Sequence, residues 1–596
     1  MDLSHSFTSQ SKVDEQAEQA FRRKARKRLI VIVVSAVVLV TIIICALVGT
    51  PVSTDNKSKG KNPSSQTSEA QSIRAMCNAT RYPDSCYSSM SSSLKASSIE
   101  TNPNPDPKTL FLLSLQVSLI ELTKLSSLPQ WIMSSNSFKN EISDSLVQSA
   151  LHACEILFLD AVDQVNESMS SIQVGQGDKT VFLTSKINDI RTRLSTAITD
   201  QDTCIAGLQD TAKHLILTDV VRYAMTNSNE FTSNSLAIAS NIVKILDDQL
   251  GIPIHRKLLT VDHDLDMGFP SWVNISDRRL LQQENPEPNL TVAKDGSGAF
   301  KTIREAVDSI PKNSKSRFVI YVKEGIYVEN VKIEKQQWNV MMYGDGMNKT
   351  IISGSLNNVD GVTKFLSGTL IAEGRGFIAK DIGFKNTAGP QKEQAVAVRS
   401  SSDQSIFHRC SFDAYQDTLY THSNRQFYRE CQIIGTIDFI FGNAAAIFQN
   451  CTIQPRQPME KQNNTITAQS RTDPNQNTGI SIQQCQMTPF DNLTVPTFLG
   501  RPWRDHATTV IMQSYIGDFL DPLGWIPWEP ETDPPNTTFY AEYQNFGPGS
   551  AIDKRAGWLG VLPNITYDEA AKFTVEPFIQ GRQWLVQANV FFQDTL

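Results

Sequence analysis

The sequence predicts three parts in series: a single N-terminal transmembrane helix, an all-α four-helix bundle, and an all-β right-handed parallel β-helix. Three observations carry this. Leu29 to Val48 is an almost unbroken apolar run, and about 20 such residues suffice to cross a bilayer as a helix. From residue 72 to 250 apolar residues recur at spacings of three and four, the period of packed helices. Between Ser405 and Met487 one short pattern is written four times, with a large apolar residue three before a cysteine and another two after it. The copies are centred on Cys410, Cys431, Cys451 and Cys485, and the first three are 21 and 20 residues apart, one coil of a stacked-strand solenoid.

The first part comprises a basic cytoplasmic tail, 1–28, and the membrane run, 29–48. Arg22, Arg23, Lys24, Arg26, Lys27 and Arg28 precede the run, so the positive flank stays cytoplasmic and everything after Val48 enters the secretory lumen. An uncleaved signal-anchor is expected; the competing reading, a cleaved signal peptide, lacks a clear small-residue cleavage site. Residues 49–71, rich in Ser, Lys, Asn and Gly without an apolar period, read as a stalk. Residues 72–250 form the helical region. Residues 251–288 lose all periodicity and carry Arg256-Lys257-Leu258-Leu259 and Arg278-Arg279-Leu280-Leu281. Writing a dibasic-Leu-Leu site twice in an exposed linker predicts cleavage by a processing protease of the secretory pathway, against the plainer reading of a charged linker. From 289 to 596 short β-branched and aromatic runs such as Phe318 to Val322, punctuated by Gly, Asn and Asp, predict strands.

Composition narrows the function. A net charge of -7 over 596 residues gives no reason to expect nucleic-acid binding. Of nine cysteines, Cys45 lies in the membrane run and the others divide four and four between the helical and β regions, which permits closed disulfide sets in an oxidising compartment. Sequons such as Asn78-Ala79-Thr80 and Asn564-Ile565-Thr566 fit a glycosylated lumenal protein.

Seven residues past Cys410 and Cys431 stand Asp417 and Asp438. With the coils in register their carboxylates lie about 4.8 Å apart along the stack, the spacing of neighbouring strands. Two acids so placed do not both ionise cheaply, so one serves as nucleophile and the other as general acid. Gln416 adjoins Asp417 and Gln394 lies about one coil upstream; neutral amide donors suit an oxyanion. Arg501, in Leu499-Gly500-Arg501-Pro502-Trp503, supplies a guanidinium able to pair bidentately with one aspartate. Trp503, Tyr420, Phe441 and Trp525 are candidates for a sugar-stacking wall. The bland alternatives are aspartates at turns between coils and aromatics in the core. No serine-hydrolase elbow, zincin motif or P-loop is written in the chain.

At this point the residues resemble plant pectin methylesterases of the type that carries an inhibitor-like pro-region. Gly325-Ile326-Tyr327-Val328-Glu329, the Gln394 segment, Gln416-Asp417-Thr418-Leu419, Asp438-Phe439-Ile440-Phe441-Gly442 and the Arg501 segment resemble the family's five signature blocks, in order. The helical region, with Thr80-Arg81-Tyr82-Pro83-Asp84-Ser85-Cys86 and Thr199-Asp200-Gln201-Asp202-Thr203-Cys204, is similar to the pectin methylesterase inhibitor domain, which implies the pairs Cys77 to Cys86 and Cys154 to Cys204. The resemblance implies hydrolysis of pectin methyl esters to pectate and methanol in the cell wall, with Asp438 as nucleophile, Asp417 as acid and base, Gln394 and Gln416 at the oxyanion, and Arg501 orienting Asp438. Gln394, Arg501 and Trp503 also become substrate contacts. It implies no metal and no organic cofactor, and as partners pectin, a processing protease and inhibitor proteins, with the membrane touched only through the N-terminal helix. A catalytically silent pectin-binding or inhibitor protein is the alternative; a β-helical lyase or glycosidase would need a calcium-binding acidic cluster or another carboxylate spacing.

One departure stands out. Where the family usually has two threonines before a phenylalanine, this chain reads Thr363-Lys364-Phe365; a lysine there favours an already de-esterified neighbouring sugar. In the β region Cys431 to Cys451 is the expected bridge, since strand spacing suits a disulfide, with an unbridged cysteine ladder as the alternative.

Overall fold

The structure is a computed structural model that describes residues 63–96, 107–173, 184–211, 215–244 and 286–596, except 531, 533, 587 and 589. The membrane run, most of the stalk and both dibasic sites of the linker lie outside the described residues.

Residues 286–596 wind into a parallel β-helix. Its strands form three parallel sheets of 11, 7 and 8 strands, one strand of each sheet per turn of the chain over most of the length. The four-fold pattern explains itself in the register. Phe407, Tyr428, Phe448 and Ile482 pair in one ladder, and Phe412, Ile433, Ile453 and Met487 in another. All eight point inward and are fully buried. Phe407 stacks on Tyr428 at 5.0 Å and Tyr428 on Phe448 at 4.5 Å, contacts that contribute about 0.5–1.5 kcal/mol each beyond area burial. The alternate residues Ile406, Phe427 and Ile447 face outward, yet they are buried too. The helix Val575–Ile579 and the following Trp584 and Leu585 cover them. A parallel sheet covered on both faces explains why these strands read as near-continuous apolar runs.

The cysteines corner the coils. The residue before each, Arg409, Glu430, Asn450 or Gln484, has φ between 51° and 54°, and the cysteine then turns into the core. All four are free thiols, so the expected Cys431–Cys451 bridge is corrected to the unbridged ladder. Three of the thiols instead find carbonyl acceptors along the stack. Cys431 Sγ donates to Phe407 O at 3.3 Å, Cys451 Sγ to Tyr428 O and Cys485 Sγ to Phe448 O. Burial pushes the Cys431 and Cys485 thiols well above their ordinary range, which leaves them inert.

The stack is closed near its start by the short helix Ile303–Asp308, capped by Thr302, whose hydroxyl accepts from the Glu305 N–H. Its Ile303, Ala306 and Val307 complete the core with Val292 and Val340.

The helical region is built on four long helices, Pro107–Ser126, Ser145–Gln173, Thr184–Gln209 and Thr226–Lys244. The first packs on the second and fourth, and the third also packs on the second and fourth. Buried Phe111, Leu115, Leu194, Ala197 and Ile238 fill the space between them. Cys77–Cys86 ties the helices Pro63–Cys77 and Pro83–Ala96, and Cys154–Cys204 ties the second and third long helices, both pairs as the resemblance implies.

Alkylation of the denatured, unreduced protein is expected to label Cys410, Cys431, Cys451 and Cys485 and to spare Cys77, Cys86, Cys154 and Cys204. Peptide mass spectrometry reads the result, and a Cys431–Cys451 crosslinked peptide would contradict the ladder.

Candidate active site

The site lies along the seven-stranded sheet. Val398 pairs with Leu419 and Leu419 with Ile440, an offset that sets Asp417 beside Asp438, each two residues before its strand partner. The Asp417 N–H donates to Ile437 O at 3.0 Å. Both aspartates have φ in the left-handed region, 63° and 52°. These values match those at the cysteine corners, so the conformation belongs to the coil rather than to a local distortion. Gly442 ends the strand after Asp438 at φ 127°; a Cβ there would meet Thr421 O at 2.1 Å, so only glycine fits.

The two carboxyls have different company. Asp438 Oδ1 accepts from Arg501 Nε at 2.9 Å and Oδ2 from Arg501 Nη2 at 2.6 Å, the bidentate pair expected from sequence. Thr465 adds a third link: its hydroxyl donates to Asp438 Oδ1 at 2.6 Å while accepting from the Asp438 N–H. The Arg501 guanidinium is itself held over the Trp528 ring at 4.1 Å. Asp417 is 5% exposed. Burial raises its pKa well above the ordinary carboxylate range, Asp438 and Asp210 push the same way, and Lys364 and Arg501 oppose them. One carboxyl is clamped by a guanidinium, and burial favours the protonated form of its neighbour.

A cavity of about 150 Å³ collects these groups. Its lining includes Gln394, Gln416, Asp417, Asp438, Phe441, Arg501, Trp503 and Trp528. The Gln394 Oε1 is buried without a partner. An open groove of about 430 Å³ continues from it past Gln394, Gln416, Arg501 and Trp528 toward Glu393 and Gln462. Two of the aromatic candidates fall elsewhere. Trp525 is 1% exposed and stacks on Tyr540 at 4.2 Å inside the core; the wall expected of it is supplied by Trp528, stacked against Trp503. Tyr420 is fully buried behind Phe441, ring centroids 4.2 Å apart.

Sequence reasoning missed Thr465, Trp528 and Asp210. Thr465 is one coil after Asp438 on the next strand of the same sheet, a position that strand register could have reached. Asp210 had no signal at all, because it comes from the helical region. That region lies across the cleft. Asp210 pairs with Lys364 at 2.7 Å and Asp202 with Arg504 at 3.0 Å. Thr203 Oγ1 is 3.1 Å from His422 Nε2, and Asn443 donates to Thr199.

Comparison with known proteins assigns both regions to families. The family model described as Pectinesterase matches residues 289–582, and that described as Plant invertase/pectin methylesterase inhibitor matches residues 71–238. The chain is 49% identical to Pectinesterase 3 of Phaseolus vulgaris and 46% identical to Pectinesterase 1 of Arabidopsis thaliana, in each case over 100% of both chains. It is 48% identical to a solved pectin methylesterase from carrot, with a TM-score of 0.51, over 53% of this chain and 100% of that one.

Asp417→Asn is expected to raise the melting temperature near neutral pH, by about 2–4 °C for each 1 kcal/mol gained. The folded carboxyl holds its proton to a higher pH than the unfolded one, so the native state loses stability as pH rises above about 4. The gain should vanish on acidification below that point; a variant less stable than its parent at neutral pH would refute a buried neutral acid.

Proposed function

The chain belongs to the pectinesterase family, and from that premise and the geometry of the site we propose that Asp438 and Asp417 divide the demethylesterification of pectin between them. The protein is a carboxylic ester hydrolase acting on pectin methyl esters in the cell wall. Asp438 attacks the ester carbonyl of a methylated galacturonate, and the tetrahedral oxyanion is met by the side-chain amides of Gln394 and Gln416. Asp417 gives its proton to the departing methoxide, and methanol leaves an acyl-enzyme on Asp438. Water then attacks the acyl carbon, Asp417 takes one of its protons, and the acid product and Asp438 are released. Arg501 and Thr465 fix the Asp438 carboxylate for the attack, and Trp503, Phe441 and Trp528 form the wall against which the sugars lie. The observation that carries this reading is the bidentate pairing of Asp438 with Arg501 beside a buried, proton-holding Asp417.

The finer organisation follows the same reading. The helical region is a four-helix bundle of the inhibitor type; a signal-anchor at Leu29 to Val48 delivers the precursor through the secretory pathway, and cleavage at Arg256–Leu259 or Arg278–Leu281 frees the β-helix. A silent β-helix is not favoured, because the enzyme-family match runs through the whole region that bears the site.

The core of the β-helix runs from Val292 to Val561 without a residue of the helical region, and the carrot structure is matched end to end by little more than half of this chain. Residues 286–596 are therefore a folding unit. They are expected to release methanol from methylated pectin, and Asp438→Ala to lower kcat by at least about 10³-fold. Thr465→Val should lower kcat about tenfold, through a carboxylate less well aimed. The rate should fall as pH rises through the raised pKa of Asp417. Methanol release that survives Asp438→Ala would sink the assignment.

A further inference from the structure

Among the described residues, Lys364 is the one lysine lining the cavity of the two aspartates. It sits in the turn before the strand Leu370–Ala372 with its side chain 9% exposed. Its ammonium lies 4.7 Å above the Trp503 ring, on the sugar-stacking wall. Its counterion is the Asp210 carboxylate at 2.7 Å, among the described residues the only group of the helical region in that cavity. The site thus already holds a carboxylate, presented beside an aromatic wall and next to the reacting pair, but the carboxylate belongs to the region that must leave before substrate enters. Once that carboxylate leaves, the other polar groups of the cavity on the β-helix are the proton-holding Asp417, neutral amides, and an Asp438 already paired with Arg501, so no group there takes its place.

We propose that Lys364 determines specificity: when the helical region departs, its ammonium exchanges the Asp210 carboxylate for that of a free galacturonate, so the enzyme prefers an ester whose neighbour on this side is already de-esterified. The proposal rests on the esterase reading and names the substrate class of the same site. The groove is asymmetric in the matching sense. Away from Lys364 it runs past Glu393, which repels a carboxylate and tolerates a methyl ester. An anionic sugar therefore lies at Lys364, the reacting ester at Asp438, and esterified chain beyond. Each turnover creates the group that Lys364 binds, so demethylation advances into contiguous runs of free acid.

The test compares methanol release by residues 286–596 from partly and fully methylated homogalacturonan. The expected preference in kcat/KM for the partly methylated polymer is on the order of tenfold, the worth of one charge-assisted pair. Lys364→Thr should reduce the preference toward unity, and Lys364→Arg should retain it, a rescue that a merely structural role would not produce. Added salt should erode the preference of the parent, which decides the matter even if Lys364→Thr fails to fold. A parent without preference, a preference untouched by salt, or a folded Lys364→Thr that keeps it would overturn the role of Lys364 while leaving the esterase intact. No methanol from either polymer would overturn both.

Discussion

The hydrogen-bonded register between Leu419 and Ile440 is the constraint on which the site depends. A carboxyl pair useful for acyl transfer must be close enough for each to perturb the other, yet must present both oxygens to one face. Adjacent coils of a β-helix meet this demand because neighbouring strands are spaced by their own hydrogen bonds. An insertion of one residue between Cys410 and Cys431 would turn one aspartate off that face. The cysteine corners and the Phe407–Tyr428–Phe448 stack are therefore part of the chemistry at one remove, since they hold the coil length that sets the register.

The cover meets the site through both apolar and polar groups: Phe365, Val396, Tyr420, Phe441 and Ala468 share a buried cluster with Leu157, Phe158 and Ile205 of the helical region, and polar pairs lie around it. His422, buried against Thr203, is pushed down to about 3 by burial and the nearby Arg399, with Asp160 opposing, so it stays neutral. Lys335 is paired with both Asp160 and Asp163 of the helical region. Burial beside Asp160 raises Asp200 well above its usual range, so that carboxyl stays protonated. The interface is thus mixed, an apolar patch ringed by ion pairs and hydrogen bonds, and contacts between regions of one chain are on the whole more polar than permanent ones. Such a surface is compatible with a cover that can be parted from a β-helix whose own core is complete.

Sequence legibility followed the physics of each level. Register could be counted, because a coil repeats its apolar residues, and so Asp417 and Asp438 lie side by side where the spacing puts them, while Arg501 was reached through the chemistry of its segment rather than by counting. Bond formation between stacked cysteines could not, since spacing that suits a disulfide equally suits thiols donating to the carbonyls of the preceding coil. Trp525 and Trp528 are three residues apart in an irregular segment, where no period says which faces the groove. Asp210 was beyond reach, since a contact between two separately patterned regions leaves no trace in either pattern. Lys364 stands out in the sequence as a departure from a family habit that favours a free acid beside the ester, and only its Asp210 partner is added by the structure.

The acid at Asp417 is not a fixed quantity of the β-helix alone. In the full chain burial raises its pKa, and Asp210 adds to the rise while Lys364 opposes it. Departure of the helical region admits water, removes the Asp210 charge and leaves Lys364 behind, three changes that all act to lower that pKa. Substrate then restores part of what was lost, since a sugar laid over Asp417 excludes water and a free carboxylate at Lys364 takes the place of Asp210. The proton that methanol needs is thus best held when the groove is filled by the substrate whose neighbour is already free. Choice of substrate and readiness of the acid are set by the same ammonium.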